Sequence, residues 1–201
     1  MIVGVVPIKR LSESKSRLSP VLSPPARASL TLALLERTVD AMRSSRGLGR
    51  LALVGPEPEL AVRLGVEALR DPGDLNGALM VAVGWALRSG AAGLLIVPGD
   101  LPGIGRRDID DLVGSAPGAP SVTTVGTYDG GTGALLLMPP DVIPPAFGPD
   151  SFARHLSLAG SRGIAISAPP IAGFARDLDT VEDLHSLDPS IWPGTQVGAA
   201  E

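Results

Sequence analysis

The sequence has no cysteine, one asparagine (Asn76), two histidines (His155 and His185) and, among its 17 basic residues, only two lysines, Lys9 and Lys15. Without cysteine there are no disulfides, thiolate metal sites or cysteine nucleophiles, which suits a cytoplasmic location. Neither histidine lies near a nucleophile-elbow motif, so no Ser-His-Asp arrangement can be defended. His155 also has no neighbouring Cys or His to share a metal with. Aromatic residues make up 3% of the chain, too few for the stacking surfaces of a single-stranded nucleic-acid binder. A formal net charge of -4 argues against binding nucleic acid or anionic membranes. No apolar run approaches the roughly 20 residues that span a bilayer. The start, Met1 to Pro7, lacks the basic region and long apolar core of a signal peptide. A soluble protein acting on small molecules is expected, with no nucleic-acid and no membrane partner.

What is present is aliphatic. At 201 residues, 44% of them hydrophobic, the chain is long enough for one domain with a real core. Short β-branched runs read as buried strands at Ile2 to Ile8, Arg50 to Gly55, Val66 to Leu69, Gly93 to Val97, Ser121 to Val125, Gly133 to Met138 and Ile164 to Ser167. Between most of them lie helical patterns. The first opens at Ser23-Pro24-Pro25, where Ser23 can cap and proline suits the first turn. It presents Leu30, Leu34, Leu35, Thr38, Val39 and Met42 on one stripe. Others cover 57–63, 75–88 (with Leu79, Val83, Ala86 and Leu87 inward), 107–113, a part of 147–159, and 180–187. Alternating strands and helices predict an α/β fold with a mostly parallel sheet and helices on both faces. The expected domain is 1–188, with 189–201 a disordered tail. Ligands of such sheets bind beyond the carboxyl ends of the strands.

Six stretches can carry chemistry. Both lysines fall in Val5 to Pro20, where an apolar strand leads into a basic loop before a helix. Lys9, Lys15 and Arg17 there can hold phosphate, or can form a solvated charge run. Asp100 directly follows a buried strand and is a hard oxygen ligand of the kind Mg²⁺ prefers; a turn aspartate is the plain alternative. In Arg176-Asp177-Leu178-Asp179-Thr180, extended backbone aims Asp177 and Asp179 the same way, which is costly without a cation or base between them. Thr180 and Asp183 also fit a capping box. Gly130-Gly131-Thr132-Gly133 allows close backbone approach to a ligand, or simply turns a hairpin. Gly148 to His155 reads as a helix start that can receive a phosphate or carboxylate, with Asp150 and Ser151 as plain caps otherwise. Asn76 either reads a base or ribose or starts its helix.

Together these stretches resemble a specific family. Val6-Pro7-Ile8-Lys9 with Lys15-Ser16-Arg17-Leu18, Leu75-Asn76, Gly99-Asp100-Leu101-Pro102, Gly131-Thr132-Gly133-Ala134-Leu135-Leu136, Phe147-Gly148 with Ser151-Phe152 and His155, and Asp177-Leu178-Asp179-Thr180 are similar to the guanylyltransferases of coenzyme F-420 biosynthesis. That family includes 2-phospho-L-lactate and phosphoenolpyruvate guanylyltransferases. The resemblance spans Ile2 to about Leu187. It implies a single Rossmann-like nucleotidyltransferase domain with a mixed sheet, acting as a monomer or homodimer. It implies transfer of GMP from GTP to a phosphorylated three-carbon acid and release of pyrophosphate; phosphoenolpyruvate is favoured over 2-phospho-L-lactate and 3-phosphoglycerate because the Arg-rich, Lys-poor composition looks like that of a high-GC bacterium. Under the resemblance, Asp100 holds Mg²⁺ with Asp179 as the second carboxylate and Asp177 as its competitor for that place, and Lys9, Lys15 and Arg17 clamp the triphosphate. Asn76 falls in the guanine and ribose region, while Thr132, Gly148 and Ser151 hold the acceptor. The family pattern has Gly-Thr-Asn where this chain has Gly131-Thr132-Gly133, so one amide side chain is missing.

Two other readings compete. Molybdopterin guanylyltransferases and sugar-phosphate nucleotidyltransferases share the fold, but they open with a Gly-rich loop. Here no glycine lies between Gly4 and Gly47. A non-catalytic nucleotide-binding protein on the same scaffold would bind GTP without releasing pyrophosphate.

Overall fold

A computed structural model describes residues 1–196 of the 201. Strand β1, Ile2–Pro7, is buried along its middle and forms the centre of the parallel half of the sheet. A polar loop with two short 3₁₀ turns, Leu11–Glu13 and Ser16–Leu18, leads to helix α1, Pro24–Ser44. The Ser23 hydroxyl accepts from the Ala26 N–H at 3.4 Å, the expected cap. The predicted stripe from Leu30 to Met42 is buried throughout.

Strand β2 (Leu48–Val54), helix α2 (Pro58–Leu64) and the short strand β3 (Glu67–Leu69) follow. Helix α3, Leu75–Arg88, begins at Asp74, whose side chain accepts from the Gly77 N–H at 2.7 Å. Its Leu79, Val83 and Ala86 are buried as expected, but Leu87 is 45% exposed. Eight residues on from Leu79, it lies about 80° round the helix and off the buried stripe. Then come β4 (Gly93–Ile96), α4 (Arg106–Gly114), β5 (Ser121–Gly126), β6 (Thr132–Met138), α5 (Ser151–Ser161), β7 (Ala165–Ser167) and the short α6 (Val181–His185).

The strands form one sheet in the order β3-β2-β1-β4-β6-β5-β7. From β3 to β4 all neighbours are parallel. β6 runs antiparallel to both β4 and β5, and β7 is parallel to β5. The sheet is therefore mixed, and Gly130 to Gly133 lies in the β5–β6 hairpin. Alternate strand residues feed opposite cores. Val3, Val5, Leu94 and Ile96 pack with Leu79, Val83 and Ala86 of α3. Val6 and Leu95 pack with Leu35, Val39 and Met42 of α1 and with Ile109 and Leu112 of α4. Both faces are covered, which is why the strands read as continuous apolar runs.

A third cluster ties the chain ends to α1. Leu18, Leu22, Leu30, Leu34, Leu178, Leu184, Leu187 and Trp192 form it. Of the segment expected to be a tail from 189, residues 189–196 are described. Trp192 is 7% exposed and its indole N–H donates to Ser29 Oγ at 3.1 Å. A large aromatic body with a satisfied polar tip is a strong anchor. Residues 197–201 of that expected tail lie outside the described residues.

Candidate active site

An open cleft of about 1040 Å³ lies along the carboxyl ends of the parallel strands. Each strand contributes the residues that follow it. Ile8, Lys9, Arg10 and Lys15 come after β1, Pro56 after β2, Asp71 to Leu75 after β3, and Pro98, Gly99 and Asp100 after β4. Because β6 runs antiparallel to β4, its first residue, Thr132, lies at the same edge. The sheet thus collects loops that are far apart in sequence.

At the centre, Lys15 and three aspartates meet. The Lys15 ammonium lies 2.8 Å from Asp100 Oδ2 and 3.0 Å from Asp179 Oδ1, and its side chain is only 4% exposed. Arg17, on the surface, adds a longer contact of 3.6 Å to Asp179. Burial alone would lower the Lys15 pKa, but the charges of Asp100 and Asp179 outweigh it and raise the ammonium above its usual value. Lys15 has φ 54° and ψ 40°, left-handed backbone that a non-glycine residue seldom adopts. That conformation is kept where surrounding contacts over-determine it, as at functional sites.

The aspartates converge for identifiable reasons. The Leu178 N–H donates to the Asp100 carbonyl at 3.1 Å, pinning the 177–179 segment against the end of β4. Leu178 is fully buried in the third cluster. With the leucine inward, extended backbone directs both flanking carboxylates outward. One oxygen each from Asp100, Asp177 and Asp179 lies within 4.8 Å of the others. Burial, then the charges of Asp100 and Asp179, push the Asp177 pKa up to about 6. Thr180 and Asp183 form the capping box of α6, so the cap and the acidic pair coexist. These carboxylates fit a small hard cation, which takes oxygen ligands at roughly 2.1 Å.

The expected acceptor residues also come together, but behind the cleft wall. Thr132 Oγ1 and Ser151 Oγ are 2.9 Å apart, and both residues are buried. Ser151 N–H donates to the Gly148 carbonyl at 3.1 Å, and Phe152 N–H to the Gly130 carbonyl at 3.3 Å. The first amides of α5 are therefore turned inward. Gly148 is exposed with φ 121°, a conformation glycine supplies readily. Phe147, next to it, lines the cleft.

Asn76 is placed differently from the base contact the sequence suggests. Its carboxamide oxygen accepts from the Phe147 N–H at 2.9 Å, and its NH₂ donates to the Phe147 carbonyl at 3.1 Å. Lys9 is exposed on the cleft wall. Gly133 has its own explanation: a Cβ there would run into the Phe174 carbonyl. The missing amide matches a close approach of the 172–174 turn, three residues before Asp177. Sequence reasoning missed that Phe147 and the Asp71–Leu75 turn form the cleft wall. It also missed the partners of His155. No local pattern signals these, because each depends on which loops the sheet order makes neighbours.

Known proteins agree with this architecture. A nucleotidyl transferase from Methanothermobacter superposes with a TM-score of 0.73 over 96% of this chain and 99% of its own, at 19% identity. A CMP:2-keto-3-deoxy-manno-octonic acid synthetase complexed with CTP gives 0.60 over 92% and 95%, at 16% identity. At these identities the likeness establishes the fold alone. Sequence relatives are nearer. A phosphoenolpyruvate guanylyltransferase of Sphaerobacter thermophilus is 43% identical over 189 residues, 92% of this chain and 91% of that protein. A 2-phospho-L-lactate guanylyltransferase of Methanothermobacter thermautotrophicus is 33% identical over 92% and 82%. The model of the family described as "Guanylyl transferase CofC like" matches residues 2–188. The chain belongs to that family, and the matched residues 2–188 include the basic loop, the three aspartates and the Thr132–Ser151 pair.

Proposed function

We propose that this protein transfers GMP from GTP to a phosphorylated three-carbon acid, phosphoenolpyruvate in the first instance, with release of pyrophosphate, in coenzyme F-420 biosynthesis. One observation carries the reading. Lys15 of the basic loop is held within hydrogen-bonding distance of Asp100 and Asp179, two members of the three-carboxylate cluster and 85 or more residues away in sequence, in a cleft with room for a nucleotide.

The sheet order supports one layout of the substrates. β3 and β4 are separated by β2 and β1, about 14 Å at roughly 4.8 Å per strand. That span suits an extended nucleoside triphosphate. The nucleoside would lie over Pro56 and the Asp71–Leu75 turn, and the triphosphate between Lys9, Lys15 and Arg17. The acceptor would enter from the β6 side, beside Phe147 and Gly148 and in front of Thr132 and Ser151.

In the reaction, an oxygen of the acceptor phosphate forms a bond to the α-phosphorus of GTP. The bond from that phosphorus to the bridging β-phosphate oxygen breaks, and pyrophosphate leaves with the electron pair. The attacking oxygen is already anionic, so no general base is needed. The protein's work is alignment and charge neutralisation. Lys9, Lys15 and Arg17 offset the charge on the departing pyrophosphate. Asp100, Asp179 and Asp177 would hold Mg²⁺, which when bound supplies Lewis-acid charge at the phosphate oxygens. The Lys15 ammonium, engaged by Asp100 and Asp179, would be the cation nearest the metal-side phosphate oxygens.

The test is pyrophosphate release with GTP, Mg²⁺ and, in turn, phosphoenolpyruvate, 2-phospho-L-lactate and 3-phosphoglycerate. Release is expected with phosphoenolpyruvate. Release with none of the three would sink the reading.

A further inference from the structure

His155 is one of two histidines and is fully buried. Nothing in the chemistry above requires it, yet both of its ring nitrogens are engaged. Nε2 lies 2.9 Å from the backbone nitrogen of Ala146. Nδ1 lies 3.1 Å from Thr132 Oγ1. A backbone N–H can only donate, so Nε2 must present its lone pair. In a neutral ring the proton then sits on Nδ1 and is directed at Thr132 Oγ1. A protonated ring would set two donors face to face at Ala146. Burial, assisted by the charge of Arg154, lowers the imidazolium pKa to about 4, which favours the same neutral ring.

The ring joins three separate pieces of chain. Thr132 begins β6, His155 lies in the second turn of α5, and Ala146 belongs to the connection between them. Phe147 continues this connection into the cleft wall and meets the His155 ring edge-on, with centroids 5.2 Å apart at 65°. On its other side, the Phe147 N–H and carbonyl are both held by Asn76 of α3. Three backbone polar groups of two adjacent residues are thus fixed by two side chains from different helices. Thr132 Oγ1 passes the order on to Ser151 Oγ at 2.9 Å.

We infer that His155 is a positioning residue: held as the Nδ1–H tautomer, it sets the Ala146–Phe147 backbone and the Thr132 hydroxyl in one register and so shapes the acceptor side of the cleft. The link to the acceptor rests on the proposed function; the tautomer and its backbone partner do not.

The test uses the full chain with ¹⁵N-labelled histidine, in which only His155 and His185 report. The His155→Gln variant identifies which signal is lost. At neutral pH that ring is expected to show a protonated Nδ1 and a lone pair on Nε2, without averaging. An Nε2–H tautomer, or rapid averaging between tautomers, overturns the inference. Kinetics give a second readout. His155→Ala removes both contacts, while His155→Gln can still accept from Ala146 N–H. The KM for the acceptor should rise roughly tenfold in His155→Ala, the scale of one or two lost buried hydrogen bonds. The rise should be smaller in His155→Gln, with the KM for GTP little changed in both. Equal rises in both KM values, or lost thermal stability with neither KM moved, leave His155 a core residue and overturn its positioning role. If wild type turned over no acceptor, the proposed function alone would fail. The ring tautomer, and the amide shifts of Ala146 to Gly148 in the two variants, would still decide the inference.

Discussion

The Lys15 ammonium lies 2.8 Å from Asp100 Oδ2, joining a loop after the first strand to the end of the fourth across 85 residues. The contact is strong because Lys15 is nearly sealed from water and shares its charge with Asp179. Removing the lysine leaves carboxylates facing one another, the costly side of a buried ion pair. Lys15→Met should bind GTP more weakly by calorimetry and lower pyrophosphate release on the order of 100-fold. Unchanged GTP binding would return the loop to a solvated charge run.

Asp100, like Asp179, belongs to both the lysine contact and the acidic cluster. Asp100→Asn keeps the shape and the Leu178 N–H contact, which uses the Asp100 backbone carbonyl. The circular dichroism spectrum should match wild type while turnover falls on the order of 10²–10³-fold. Near-full activity would remove Asp100 from any metal role.

Asp177 supplies a pH signature. Its folded pKa, about 6, is raised above the ordinary 3.8 by burial and then by Asp100 and Asp179. A raised folded pKa means that the folded state holds the proton more tightly than the unfolded one. The associated stability is full below the unfolded value and is lost as pH rises through about 6. Without divalent cations, Tm should therefore drop between about pH 4 and 6, and Mg²⁺ should restore more of it above pH 6 than below. Asp177→Asn should flatten both trends in a thermal-shift series. A Tm rise from Mg²⁺ that is the same at pH 5 and pH 7.5 would contradict this account.

Leu178 couples the third core to the site. It is fully buried between the two outward aspartates, in the cluster that also holds Leu18, three residues past Lys15. Leu178→Ala should lower unfolding free energy by about 2–5 kcal/mol in urea titrations. Because the same change loosens both halves of the charge cluster, turnover should fall more steeply than the folded fraction. If activity simply followed the folded fraction, the coupling would be absent.

Asn76 separates two roles. If it contacts the nucleotide, its loss raises the KM for GTP; if it acts through Phe147, the KM for the acceptor moves instead. The amide contacts predict the second outcome. Asn76→Asp should be worse than Asn76→Ala, since a carboxylate oxygen would face the Phe147 carbonyl where an NH₂ now donates. Steady-state kinetics with each substrate varied in turn would tell the two apart.

Much of this protein was legible in its sequence, for reasons of range. Strands such as Ile2–Pro7 and Gly93–Ile96 read correctly because burial on both faces demands a continuous apolar run. The start of α1 followed from Ser23 and two prolines, whose effects are local. The outward pairing of Asp177 and Asp179 follows from the period of extended chain. The sequence reading reached less far where packing decides: the Trp192 indole meets Ser29 of α1, and Leu87 stands off the buried stripe of α3 and is 45% exposed.

The sequence by itself determined the elements, the basic loop and the acidic residues, since composition and periodicity act over a few residues. Only the tertiary structure decided which of these groups meet. The order β3-β2-β1-β4-β6 carries Lys15 to Asp100, and the Leu178 N–H bond brings Asp177 and Asp179 beside them. It also engaged Asn76 and His155 with the backbone of Ala146 and Phe147. Buried polar groups must find partners, and the partners available are those the packed sheet brings within reach, however distant in the chain.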